Sequence, residues 1–190
     1  MGDVLLVELE ASAGPSPVST RASWRVDPAM AGLGTTISVG VHVYDILRYI
    51  LSSEIATVTS FFDMPRGVME KTNLSTLRFA NGVMAQVNVN EKTPHPYNDF
   101  VIYGTKGRVT GKGLTRSRIS GELQVSIGGG ESRRTDFPAV NAHGRSVAAF
   151  SQALLDGRDP SPSGLDGLRS VQLADAMARS AWDGVHVSLT

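Results

Sequence analysis

Hydrophobic and polar positions change their period several times along the chain, and each change marks an element. Val4 to Glu10 is a short apolar run flanked by acids and suits a strand. Ser12 to Ser23, rich in Ser, Pro and Gly, reads as a loop as far as the segment Trp24-Arg25-Val26-Asp27-Pro28. Helical spacing runs from about Ser38 to Leu51, and Ile55 to Phe62 reads as a strand. Leu74–Ala80 and Val83–Asn90 alternate around Asn81-Gly82, the strongest short-range signal for a two-residue hairpin. Further strands are predicted at Phe100–Tyr103, Leu123–Ile127 and Arg133–Phe137, with Gly104-Thr105-Lys106-Gly107 and Gly128-Gly129-Gly130 as turns. Helical spacing returns at about Arg145–Leu155 and Leu165–Trp182, and Val185–Leu189 is a last short strand. Strands in one block with helices at either end predict an α+β fold around a mainly antiparallel sheet rather than alternating βαβ units.

Bulk composition narrows the function classes. A chain of 190 residues with 41% hydrophobic and 19% charged content is long enough for one sizeable core and short for two, so a single domain over residues 1–190 is expected. The 18 basic and 18 acidic side chains cancel, and no basic block exceeds the pair Arg133-Arg134, which leaves no electrostatic footprint for nucleic acid or an anionic membrane. A small neutral or polar partner fits better. With no cysteine, disulfides, thiolate zinc sites and thiol catalysis are excluded, in keeping with a reducing compartment and a cytoplasmic location. The start MGDVLLVELE is flanked by acids and so is not a signal peptide; Leu6 breaks the myristoylation pattern. No run approaches the roughly 18 apolar residues of a membrane span.

Two motifs compete in the stretch Gly32–Leu51. Gly32-Leu33-Gly34 looks like the opening of a nucleotide loop, but a dinucleotide fingerprint needs a preceding strand and a third small residue, and Ile37 stands at that third position. The glycines at 104, 107, 111 and 113 miss the phosphate-loop spacing, and Gly113 follows Lys112 where Ser or Thr is required, so they read as turn residues. No cofactor-binding residue is assigned. On a helical wheel Ser38, His42, Asp45 and Tyr49 fall within an arc of about 60°, beside an apolar stripe of Val39, Val43, Ile46 and Ile50. A hydrolase triad of Ser38, His42 and Asp45 lacks the strained Gly-x-Ser-x-Gly elbow and a base oriented from another direction. His95, His143 and His186 are isolated, so no metal site is assigned. Taken alone, His42 is either a core or capping histidine or a proton-transfer group.

The stretch from Trp24, WRVDPAMAGLGTTISVGVHVYDILRYIL, resembles the carboxy-terminal domain of the glucose–fructose oxidoreductase, inositol dehydrogenase and rhizopine catabolism (Gfo/Idh/MocA) family. Members run Trp-Arg, a glycine loop, then Asp-x-Gly-x-His-x-x-Asp into an amphipathic helix, and Gly40, His42 and Asp45 match that pattern. Leu77–Val83, Tyr103–Val109 and Ser163–Val187 extend the resemblance along nearly the whole chain. Two positions depart from it. Ser38 stands where the family has an acid four residues before the histidine, and the amino-terminal Rossmann domain with its Glu-Lys-Pro motif is not in this sequence.

The resemblance implies an open sheet with helices packed on one face, acting as the substrate-binding and oligomerising domain of an NAD- or NADP-dependent sugar or polyol oxidoreductase, truncated or split from its cofactor domain. His42 is then the catalytic group that exchanges the hydroxyl proton. Trp24, Arg25, Ser38 and Asp45 line the substrate side, with Asp45 orienting His42; a stapled loop for Trp24-Arg25 and a solvated surface for Asp45 are the plainer alternatives. The cofactor is NAD or NADP in the intact enzyme, and none is expected to bind this chain alone. A homodimer or tetramer through the sheet, a separate Rossmann chain, and no nucleic acid or membrane complete the expected partners. The alternative is a noncatalytic subunit or ligand-binding module that keeps the fold.

Overall fold

The alternating segments become an open nine-stranded sheet in the computed structural model, which describes residues 1–15, 23–114 and 118–189. In chain order the strands are β1 (Val4–Ser12), β2 (Ile55–Phe62), β3 (Thr72–Phe79), β4 (Met84–Asn90), β5 (Phe100–Gly104), β6 (Gly107–Lys112), β7 (Arg118–Ile127), β8 (Arg133–Asn141) and β9 (Val187–Ser188). Across the sheet they lie in the order β8-β7-β6-β5-β1-β4-β3-β2-β9. Every neighbouring pair is antiparallel except β1 with β4. The helices are α1 (Pro28–Ala31), α2 (Thr35–Ser38), α3 (Gly40–Leu51), α4 (Ala142–Leu155) and α5 (Gly164–Asp183), with a 3₁₀ turn at Ser23–Val26. The chain is thus α+β, as its pattern predicts, and none of its described helices is long and apolar enough to cross a membrane.

One face of the sheet is buried. Val7, Leu9, Val58, Leu77, Ala85, Val87 and Val89 point, at every second position, into a core shared with Val43, Tyr44 and Leu47 of α3 and Leu173 and Met177 of α5. The opposite face is open and carries Phe61, Leu74 and Met84 exposed. At one end of the sheet Ser12 stands opposite Asn90 and Asn90 opposite Thr72, with Phe62 paired to Asn73 beside them, and the candidate site lies there.

Several expectations need correction. The hairpin after β3 closes with three loop residues rather than two: Phe79 N–H donates to Val83 O at 2.8 Å and Gly82 N–H to Phe79 O at 2.9 Å. Gly82 has φ 89°, the left-handed residue that follows a type I turn in this loop class. Strand β6 falls where glycine-rich sequence suggested only turns; Gly111 sits opposite Phe100 and the ladder runs on into β7. β7 and β8 also extend beyond their predicted limits. The helix predicted from Ser38 starts at Gly40, because the chain breaks at Val39 between α2 and α3. Its buried face is Val43, Tyr44, Leu47 and Leu51, whereas Ile50 of the predicted stripe is exposed. Tyr44 takes the inner position because Asn73 Nδ2 donates to its phenol oxygen at 3.2 Å. Helical packing on one face holds for α3 and α5; in α4 every side chain except those of Ala142 and Ala153 is exposed. Of the loop predicted over Ser12–Ser23, Ser12 belongs to β1, Ser23 opens the 3₁₀ turn, and 16–22 lie outside the described residues.

Candidate functional site

The break at Val39 puts Ser38 at the end of one short helix and His42 in the first turn of the next. The start of α2, just ahead of that break, is held by a buried carboxylate. Glu70, 1% exposed, accepts from Gly34 N–H through Oε2 and from Thr36 N–H through Oε1, both at 2.8 Å. Its carbonyl accepts from Thr35 N–H at 3.0 Å. One residue thus satisfies the first three amide donors of the turn, which otherwise lack partners at a helix start. The approach is so close that a Cβ on Gly34 would stand 2.0 Å from Glu70 O, so this glycine serves packing against Glu70. The amides that a nucleotide loop would aim at phosphate are already bonded to Glu70, and the chain offers no dinucleotide cradle here.

Burial, then the charge of Glu70, pushes the Tyr44 phenol well up from its ordinary value, and the bond from Asn73 pulls the other way. Asn73 also donates to Thr36 Oγ1 at 3.1 Å and accepts from Ser75 Oγ at 2.6 Å. This polar network roots the α2–α3 junction in β3.

On the outer side of the junction, Ser38 and His42 are both exposed. The Ser38 hydroxyl donates to Glu91 Oε1 at 3.0 Å, and Glu91 itself is 9% exposed. The His42 N–H donates to Val39 O at 3.3 Å, while its imidazole makes no hydrogen bond among the described residues. Asp45 lies along the helix and belongs to a second group. Its Oδ1 is 3.6 Å from Arg48 Nη1; that arginine forks onto Glu54 (2.9 and 2.7 Å) and reaches Asp166 Oδ1 at 3.2 Å. Partial burial, then the Asp166 charge, raises the Asp45 pKa, against the pull of Arg48 and His42. The same arginine holds Glu54 below its usual value by its hydrogen bond. Asp166 is held down first by the backbone N–H of Ser163 in the capping box that starts α5.

The predicted residues therefore divide. Ser38 and His42 share one exposed junction, Asp45 leans toward Arg48, and Trp24 and Arg25 stand apart: the Arg25 guanidinium lies 5.0 Å from the Trp24 ring centre, and both side chains are exposed. No described hydrogen bond or ion pair joins Trp24 or Arg25 to His42. Glu70 and Glu91 went unassigned in the sequence. Glu91 directly follows β4, where Asn90 and Glu91 are both buried in succession, so the alternation that marks the strand stops short of it. Nothing local singles out Glu70. Among the described residues no group of three or more His, Cys, Asp or Glu is placed to hold a metal ion.

Comparison with known proteins fits this geometry. Residues 1–110 match the family described as the GFO/IDH/MocA C-terminal domain. The chain is 28% identical over 164 residues to a 1,5-anhydro-D-fructose reductase of Ensifer adhaerens, covering 85% of this chain and 49% of that protein. It is 26% identical over 161 residues to the inositol 2-dehydrogenase of Rhizobium meliloti (strain 1021), covering 78% and 48%. Among solved structures, the aldose-aldose oxidoreductase from Caulobacter crescentus complexed with glycerol superposes with a TM-score of 0.84 at 23% identity, over 100% of this chain and 56% of that one. Levoglucosan dehydrogenase in complex with NADH and levoglucosan gives 0.83 at 23% identity, over 100% and 59%. These two likenesses establish the fold. The chain spans about half the length of the curated relatives it matches.

Proposed function

Since the chain belongs to the Gfo/Idh/MocA C-terminal domain family, we propose that it is the substrate-side domain of an NAD(P)-dependent oxidoreductase acting on a hydroxyl or carbonyl of a sugar or polyol. The observation that carries this reading is His42: an exposed imidazole in the first turn of α3, beside Ser38 and making no hydrogen bond among the described residues. Imidazole takes up and returns a proton near neutrality, so His42 receives the proton of the substrate hydroxyl on oxidation and gives it back on reduction. NAD or NADP, when bound, supplies the hydride chemistry. The amides of the Gly34 turn do not fit a dinucleotide, because Glu70 already fills them, and the coenzyme therefore falls to a Rossmann domain outside these residues, in the same polypeptide or in another chain. Ser38 binds a substrate hydroxyl, and Trp24 and Arg25 close over the sugar from the 3₁₀ turn. The open face with Phe61, Leu74 and Met84 associates with a second copy, giving a homodimer or tetramer.

The second reading is a noncatalytic module, and one observation favours it. Asp45, the residue expected to orient His42, is drawn to Arg48 instead. Activity of the enzyme that joins this chain to its dinucleotide domain decides between them. His42→Ala is expected to lower turnover about 10²–10⁴-fold on a panel of sugars and polyols, the usual worth of general acid–base help. Turnover equal to that of the unaltered protein would establish the noncatalytic module.

A further inference from the structure

Helix α3, which carries His42, begins without a cap: no side-chain hydrogen bond closes it at Val39, and its first turn holds no acidic residue. A cap normally fixes where a helix starts, so the direction of this first turn has to be set from elsewhere. It is set from inside the core. Tyr44 is fully buried, and its ring leans back over the preceding turn, as long side chains on helices do. The fit is so close that a Cβ on Gly40 would overlap the Tyr44 hydroxyl and stand 2.7 Å from Cζ. Gly40 thus leaves the space that the hydroxyl fills.

The hydroxyl meets a side-chain amide of β3. Asn73 Nδ2, also fully buried, donates to Thr36 Oγ1 at 3.1 Å, to Tyr44 Oη at 3.2 Å and to Met177 Sδ at 3.4 Å. Thr36 stands two residues before Ser38 and Tyr44 two residues after His42, so one amide ties down both helices across the break at Val39. An amide NH₂ has two hydrogens for these three acceptors. Without the phenol oxygen, Asn73 keeps both hydrogens bonded through Thr36 and Met177. The bond to Tyr44 therefore gives direction to α3 more than stability to the core. Val43, Leu47 and Leu51 bury the rest of the helix by apolar contact, which has no direction of its own. At the far end of α3, Arg48 is fastened to Glu54 and Asp166.

Resting on the substrate-side reading above, we propose that Tyr44 is a positioning residue for His42: its hydroxyl, in the space left by Gly40 and held by Asn73, fixes the first turn of α3 and with it the place of the imidazole beside Ser38. Two residues apart on a helix, the side chains of His42 and Tyr44 point to opposite sides, so Tyr44 acts through the backbone that joins them. Ser38, on the other helix, is held by its own bonds and does not depend on the phenol.

Nuclear magnetic resonance of the four histidine rings in the full chain tests this, alongside urea unfolding. Tyr44→Phe keeps the ring and removes the hydroxyl; the His42 signals should move, those of His95, His143 and His186 should stay, and the unfolding midpoint should remain close to that of the unaltered chain. Leu51→Ala, at the far end of the same helix, should do the reverse, lowering the midpoint with the His42 signals in place. In the enzyme that joins this chain to its dinucleotide domain, Tyr44→Phe should lower kcat about 10–10²-fold with KM unchanged, the scale on which a group displaced by up to about 1 Å loses rate. Gly40→Ala, which drives a methyl into the phenol, should move the same His42 signals, and the double variant with Tyr44→Phe should move them by less than the sum of the two, since both act through one contact. A folded Tyr44→Phe with His42 signals and kcat unaltered overturns the inference alone, as does a Leu51→Ala that moves His42 equally, because Tyr44 is then ordinary packing. If Tyr44→Phe does not fold, unmoved His42 signals in Gly40→Ala overturn it equally. Turnover unchanged by His42→Ala overturns the substrate-side reading and this inference with it.

Discussion

In β3 and β4 side chains alternate between buried and exposed, whereas in β8 every side chain but that of Val140 is exposed and in α4 only Ala153 is fully buried. Both halves belong to one hydrogen-bonded sheet. The β1–β4 half has α3 and α5 over it; the β6–β8 half is laddered throughout, with one register shift between Ile119 and Gly121, and has almost no core. Ladder and packing are thus separable sources of order. A ladder fixes which residues are neighbours, and burial supplies most of the free energy that keeps them there. Ser38, His42, Glu70 and Glu91 all hang on the packed half, as a site that must be held in place requires. Val147, Phe150 and Leu154 line one side of α4 at helical spacing and are exposed, and a helix of 14 residues is marginal in water without a packed face.

The largest effect should come from the packed half. Leu77, 0% exposed, meets Val58 across β2 and Ala85 across β4 in the middle of the core. Leu77→Ala should cost about 2–5 kcal/mol through lost transfer energy and the cavity left behind. Urea unfolding followed by circular dichroism measures it. A loss below about 1 kcal/mol would mean that the β1–β4 half is no better packed than the other.

The two halves were also unequally legible in the sequence. Alternation in Leu74–Ala80 and Val83–Asn90 announced β3 and β4 because one face of each is buried. β6 went unseen, since strands with little burial carry little alternation and Gly107 and Gly111 look like turn residues until their partners are known. α4 was placed within three residues from its apolar spacing, yet that spacing does not say whether the stripe is covered. At the site, His42 stood out by its type and its neighbours. Glu70 and Glu91 lie 34 and 53 residues from the amide and hydroxyl they accept from, Thr36 and Ser38, and only the sheet register brings them there. The break at Val39 was hidden too, because a wheel drawn from Ser38 through Tyr49 assumes a continuous helix.

A smaller but still measurable effect belongs to the junction between the core and the site. Glu70→Gln leaves one of the two amides, Gly34 or Thr36, facing a side-chain N–H in place of an acceptor. An unsatisfied buried donor of this kind should cost about 1–3 kcal/mol. Because the same carboxylate fixes the start of α2, which ends at Ser38, the amide resonances of Gly34, Thr36 and Ser38 should move most in the variant. If stability falls while those resonances stay in place, Glu70 supports the core and not the site, and the junction belongs with ordinary packing.

The smallest effect is expected in α4, where it does most to test the contrast. Phe150 is 53% exposed and Val147 67%, so Phe150→Ser removes an aromatic ring that is already half in water and opens no cavity. Surface substitutions of this kind usually stay within about 0.5 kcal/mol. Serine is a weaker helix former than leucine or alanine but close to phenylalanine, so propensity adds little. Urea unfolding of Phe150→Ser should therefore overlay that of the unaltered chain, and hydrogen exchange should find the α4 amides opening far more readily than those of α5, whose inner face lies in the core. A loss comparable with that of Leu77→Ala, together with slow exchange in α4, would show that its stripe is covered in solution, and the division into a packed half and a laddered half would not survive that result.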